Sequence, residues 1–264
     1  MEGLIADFYT NFDKFLLVFT RMTGLFILSP VFGRRNVPPY LKIGFCFLVS
    51  IVIVDMVPGT GNILSENLLR FAINIGGELF VGLIIGYMTT LTFYTLFTAG
   101  QIIDVQIGFG IVNVLDPQND TQVPVIGNFL FILALLLFFT ANGHHMLINF
   151  LYESYTLLPV GQINIEYNMV FTILEIFIGT FIIAVKLAVP ILAALILTEA
   201  ALGILDRTVP QLNMLVVGMP LRIIVGLLAL YFIMPLFVAL MEYIFDDMYS
   251  NITVVFRGLA GELK

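Results

Sequence analysis

Few residues in this chain could do acid–base or nucleophilic chemistry, and their spacing does not suit it. His144 and His145 are the only histidines. Adjacent on a helix, they point to different faces, whereas a zinc protease needs two histidines four apart with a glutamate between them. Ser154 lies beyond them without a glycine elbow to present it as a nucleophile. No P-loop occurs, nor any glycine-rich dinucleotide fingerprint after a strand. Asn142-Gly143 ahead of the histidines reads as a helix boundary at an interface. The sequence therefore predicts no catalytic residue, no cofactor and no metal. Cys46 is the only cysteine, so no disulfide forms within the chain.

What remains is charge in apolar surroundings. The hydrophobic fraction is 60%, the charged fraction 11% and the mean hydropathy +1.05. The ionisable residues Arg21, Asp55, Glu78, Glu175, Lys186, Glu199, Asp206, Arg207 and Arg222 are scattered through the apolar segments. A lipid-bathed transporter gathers such groups in one central site. Scatter predicts helices that pack mostly against other protein. Arg21, Glu78, Glu175, Lys186, Arg207 and Arg222 are thus candidate inter-subunit or buried charge contacts. Glu175 and Lys186 share a helix face but stand about 16 Å apart along the axis, too far to pair with each other. Each then takes a partner from another helix or chain, or else snorkels to a different interface.

These residues sit in six apolar segments, roughly 15–33, 41–58, 71–103, 124–152, 169–205 and 209–245. They are too continuous for barrel strands, which alternate polar and apolar, so the expected fold is an all-α membrane protein. The N-terminus carries Glu2, Asp7 and Asp13 before Lys14 and does not read as a signal peptide. A net charge of −7 argues against a nucleic-acid partner. If all six segments span, Arg34, Arg35, Lys42, Arg207 and Arg222 share one side, and Lys14, Arg70, Arg257 and Lys264 the other. So even a split gives no orientation by the positive-inside rule and speaks against simple threading.

Gly82 and Gly86, four apart, let another helix approach the third segment closely. The stretch 104–124 contains Gly108, Gly110 and an Asp116-Pro117 turn signal around an apolar centre. Irregular backbone at membrane depth is buried in protein or lines a cavity, so this stretch is either a re-entrant packing turn or a functional loop. The C-terminal part reads as a helical hairpin, with Pro190 breaking the first arm, a corner at 206–213, and Pro220 and Pro235 kinking the second arm.

Five stretches then carry a family resemblance: RMTGLFILSPVFG (21–33), GQIIDVQIGFGIVNVLDP (100–117), GHHMLINFLYESYTLLPVG (143–161), Pro190, and DRTVPQLNMLVVGMP (206–220). In this order and at this length the chain resembles the FliR family of flagellar export-gate proteins and their counterparts in virulence type III secretion. The resemblance implies a non-enzymatic subunit of a helical multi-subunit channel for unfolded export substrates in the bacterial inner membrane, within the flagellar basal body. The implied partners are FliP-like and FliQ-like subunits, an FlhB-like export protein, the transiting substrates and membrane lipid. It also implies a FliP-like part at 1–165 and a FliQ-like hairpin with a C-terminal tail at 166–264. A channel plug maps onto Gly108, Phe109, Gly110, Ile111, Val112, Asn113, Val114, Leu115, Asp116 and Pro117.

A six-helix secondary transporter of a small solute is the alternative, since proline-broken helices and buried charges occur in such proteins. It should show two similar halves, and the glycine ladder of segment three has no counterpart in segment six. An intramembrane enzyme would need a nucleophile–base arrangement that the sequence does not offer.

Overall fold

In a chain so apolar, every backbone N–H and C=O in a lipid or protein interior must be satisfied within its own element, and the helix does this locally. The computed structural model describes residues 2–34, 37–57, 68–109, 124–161, 167–209 and 214–260. Among the described residues there are seven helices and no strand: α1 (Glu2–Leu28), α2 (Pro39–Val54), α3 (Leu68–Ile107), α4 (Val125–Thr140), α5 (Gly143–Leu157), α6 (Tyr167–Thr208) and α7 (Met214–Leu259). Three of them, α3, α6 and α7, are long and apolar enough to cross a membrane, and a fourth crossing is possible if α4 and α5 form one broken span.

The element boundaries differ from the six expected segments in instructive ways. The apolar run 124–152 is two helices, because Asn142 adopts φ 56°. Asparagine tolerates this left-handed region better than most residues, and the Asn-Gly pair ends one helix and begins the next. Pro190, Pro220 and Pro235 lie inside continuous helices, contrary to the expected break at Pro190. Each removes one backbone hydrogen bond, and the long apolar helix around it retains the rest. α3 continues to Ile107, so Asp104 is helical and not part of a loop. Likewise α6 continues to Thr208, so Asp206 and Arg207 belong to its last turn, not to a corner.

The helices divide between two compact units. The first comprises 1–91, 142–176 and 246–264, and the second 92–141 and 177–245. In the first unit the contacts of α1 with the opening half of α3 advance in the same sense along both helices. Arg21 meets Glu78 and Leu28 meets Thr90, so the two are parallel. α2 packs on α1, where Phe26, Phe32 and Phe45 stack with centroids 4.5–6.3 Å apart. In the second unit the end of α3 and α4 run antiparallel around a ring cluster, with Phe93 edge-on to Phe131 and Phe138 at 6.0 and 5.4 Å. There α6 and α7 form an antiparallel pair, with Glu199 on Arg222 and Leu202 against Gly218.

Candidate functional site

The first unit is organised around the fully buried cation of Arg21. Arg21 and Glu78 are both fully buried, with Nε donating to Glu78 Oε2 at 2.6 Å. Arg21 Nη1 donates to Ser154 Oγ at 2.9 Å and Nη2 to the Leu158 carbonyl at 3.1 Å. The Tyr155 ring lies over the guanidinium, 4.1 Å from its carbon. Glu78 Oε1 accepts the Gly161 N–H at 3.0 Å. Gly161 has φ +77°, and a Cβ there would press on Asn74, so glycine delivers this N–H where other residues would strain. Burying an ion pair is tolerable only when its remaining donors and lone pairs are satisfied. Here the planar guanidinium spreads its donors over a carboxylate, a hydroxyl and a carbonyl, which one ammonium could not do. The cluster thereby ties α1, α3, α5 and the turn after α5 together.

Small residues bring these helices close enough. Gly82 lies against the Arg21 carbonyl and Gly24, and a Cβ on Gly86 would come within 2.9 Å of the Leu25 carbonyl. Gly24 completes the crossing from the α1 side, where an added Cβ would sit 2.6 Å from the Leu79 carbonyl. Glu78, Gly82, Gly86 and Thr90 are four apart and form one stripe on α3. At its end the Thr90 hydroxyl donates to the Leu28 carbonyl at 2.6 Å. The sequence reading marked Gly82 and Gly86 but not Gly24, whose spacing of three from Arg21 on the same face was the available signal.

In the second unit Asp104, 5% exposed, accepts from the N–H groups of Ile126 and Gly127 at 3.0 Å each. It caps α4 from the end of α3, satisfying donors that open every helix. Gly100 and Gly127 touch backbone to backbone beneath this contact. α3 stops because Gly108, at φ 98°, takes the left-handed position that ends a helix. Gly108 and Phe109 of the expected plug thus leave α3 in a turn, and Gly110 to Pro117 lie outside the described residues.

The other candidate charges are on outer surfaces. Arg222 donates to Glu199 Oε1 at 2.9 Å, and Gln106 donates to Glu199 Oε2 at 3.2 Å. Glu175, Lys186 and Arg207 are exposed on α6. Of the candidate charge contacts, Arg21 and Glu78 are buried and pair with each other within the chain. Ser154 also donates to the Leu151 carbonyl at 2.6 Å, so its hydroxyl is committed to positioning Arg21. His144 and His145 stand in the first turn of α5 with ring centroids 4.1 Å apart.

The profile of the bacterial export proteins, family 1, matches residues 12–248. The chain belongs to this family. Among its relatives, the flagellar biosynthetic protein FliR of Bacillus subtilis (strain 168) is 36% identical over 239 residues, covering 89% of this chain and 91% of that protein. The flagellar biosynthetic protein FliR of Escherichia coli (strain K12) is 29% identical over 240 residues, covering 90% and 91%. That of Aquifex aeolicus (strain VF5) is 29% identical over 235 residues, covering 89% and 90%. The match takes in the Arg21 cluster, the α1–α3 glycine crossing and the Asp104 cap, all within the stretch that defines this export family.

Proposed function

We propose that this chain is a subunit of the flagellar type III export gate in the bacterial inner membrane, at the basal body. It forms the conduit for unfolded export substrates together with FliP-like and FliQ-like subunits and an FlhB-like protein. Residues 1–165 act as the FliP-like part and 166–264 as the FliQ-like hairpin.

The observation that carries this reading, beside family membership, is the length of apolar surface on α6. Exposed large apolar side chains run from Val170 to Leu205 on α6 and from Val216 to Tyr243 on α7, where Asp246 and Asp247 follow. At 1.5 Å per residue these stretches measure about 53 and 41 Å. A bilayer core of about 30 Å covers at most about 40 Å of even a strongly tilted helix. On α6 the remainder must be covered by protein, which a helical multi-subunit channel provides. Tyr231 and Phe232, 72% and 75% exposed, are the most exposed aromatic side chains among the described residues of these two helices.

The segment Gly108–Pro117 closes the conduit at rest. Its apolar residues Phe109, Ile111, Val112, Val114 and Leu115 suit a dewetted constriction. α3 stops ahead of it at Gly108, and α4, which opens beyond it in the chain, is capped by Asp104. Deleting Gly110–Val114 is expected to leave the complex assembled but leaky to ions and small solutes, read as conductance across a planar bilayer. A deletion complex that assembles and stays tight would assign the seal to partner side chains.

A further inference from the structure

The α1–α2 face holds a groove whose chemistry is that of an amphiphile. Its volume is ≈ 310 Å³ and it is lined by Thr23, Phe26 and Ile27 of α1 and by Pro39, Lys42, Ile43 and Cys46 of α2. That volume is at the lower end of small-ligand sites, about 300–1,000 Å³. From Pro39 to Cys46 the groove is about 10 Å long. Lys42 is its one charged lining residue and stands near the Pro39 end, at the start of α2. Lys42 Nζ donates to the Gly33 carbonyl at 2.9 Å, which fixes the ammonium at the groove's rim and uses one of its three donors.

The surroundings are electropositive in an acidic protein. Between Asp13 and Asp55 the sequence has no acidic residue and five basic ones, Lys14, Arg21, Arg34, Arg35 and Lys42, although the whole chain carries −7. Arg21 is neutralised by Glu78, and Lys14 donates to the Val57 carbonyl elsewhere in the unit. Arg34 is exposed near the Lys42 end. Beyond the groove, α2 is apolar around its whole circumference, with Tyr40, Leu41, Phe47, Leu48 and Val52 turned outward. Basic residues at the edge of an apolar helix attract anionic lipid headgroups.

We propose that this groove binds one acyl chain of an anionic phospholipid, with its phosphate oxygens on the Lys42 ammonium. A tail of apolar carbon ending in one anion matches an apolar trough ending in one cation. A protein helix laid here would leave the two remaining Lys42 donors to be matched by a carboxylate at one fixed register.

The chain contains no tryptophan, so Ile27→Trp, at a 62% exposed position on the groove wall, supplies a single fluorescent reporter in the full-length protein. Titrating detergent micelles with brominated-chain phosphatidylglycerol or phosphatidylcholine should quench this reporter with about a fivefold preference for the anionic lipid, the scale of one lysine at a charged headgroup. Lys42→Gln in the same background should erase the preference while leaving the phosphatidylcholine curve in place, and Lys42→Arg should keep it. A second reporter, Leu197→Trp on the exposed face of α6, should be quenched equally by the two lipids. Equal quenching at position 27, or a preference indifferent to Lys42→Gln, would reduce the groove to ordinary lipid contact and overturn the proposal. Quenching by neither lipid would mean that protein fills it, which overturns the proposal as well.

Discussion

Arg21→Ala is expected to leave a chain that no longer folds stably or joins a complex. The substitution strands Glu78 as an unpaired buried carboxylate, and breaking a buried pair by removing one partner costs about 3–5 kcal/mol. It also takes the partner from the buried Leu158 carbonyl, adding about 1–3 kcal/mol. Against a typical stability of about 5–15 kcal/mol, the sum is enough to unfold the first unit. Arg21→Lys should be intermediate, since one ammonium reaches Glu78 but not Ser154 and Leu158 together. Arg21→Met combined with Glu78→Leu should recover part of the loss, because neither charge is then buried alone. Thermal unfolding in detergent, followed by the fluorescence of an environment-sensitive thiol dye at buried Cys46, gives the ranking. If Arg21→Ala unfolds at the wild-type temperature, the cluster is not what holds these helices.

Gly82→Ala is expected to be the most damaging single methyl among the described glycines. The new Cβ would overlap the Arg21 carbonyl and come within 3.0 Å of the Gly24 Cα, both backbone atoms that cannot rotate aside. α1 and α3 must separate, which stretches the Arg21–Glu78 contact as well. Overpacking of this kind costs about 1–3 kcal/mol, and Gly82→Val should cost more. Gly76, two turns earlier on the same helix, has nothing within 4 Å of an added Cβ. There Gly→Ala should stabilise by about 0.5–1 kcal/mol through helix propensity. The same comparison in unfolding temperature tests both signs. A neutral Gly82→Ala would contradict the close crossing, and a destabilised Gly76→Ala the open space at that position.

The sequence disclosed these helices unevenly, for physical reasons. Spacing of four made the Gly82–Gly86 stripe readable, and apolar length made α3, α6 and α7 readable. That Arg21 and Glu78 pair with each other was not readable, because no local periodicity links positions 57 apart. Helix ends were the other weak point. Asp104 and Arg207 are polar residues at the edge of apolar runs, and each was taken into the adjoining connection, although a helix readily carries polar groups in its last turn. Proline was over-weighted at position 190, where loss of one hydrogen bond does not end a helix of more than 40 residues. The Asn142-Gly143 dipeptide marks a helix boundary, which the structure has at that point, although the apolar run around it reads as one segment. Glu175 and Lys186 are exposed on α6.

Co-assembly is the most direct test of the central claim. The chain should be co-expressed with FliP-like and FliQ-like subunits, extracted in mild detergent and weighed intact by native mass spectrometry. A single hetero-oligomer containing one or more copies of each is the predicted result. A uniform homodimer or monomer, stable by itself and without affinity for the other two subunits, would contradict the account.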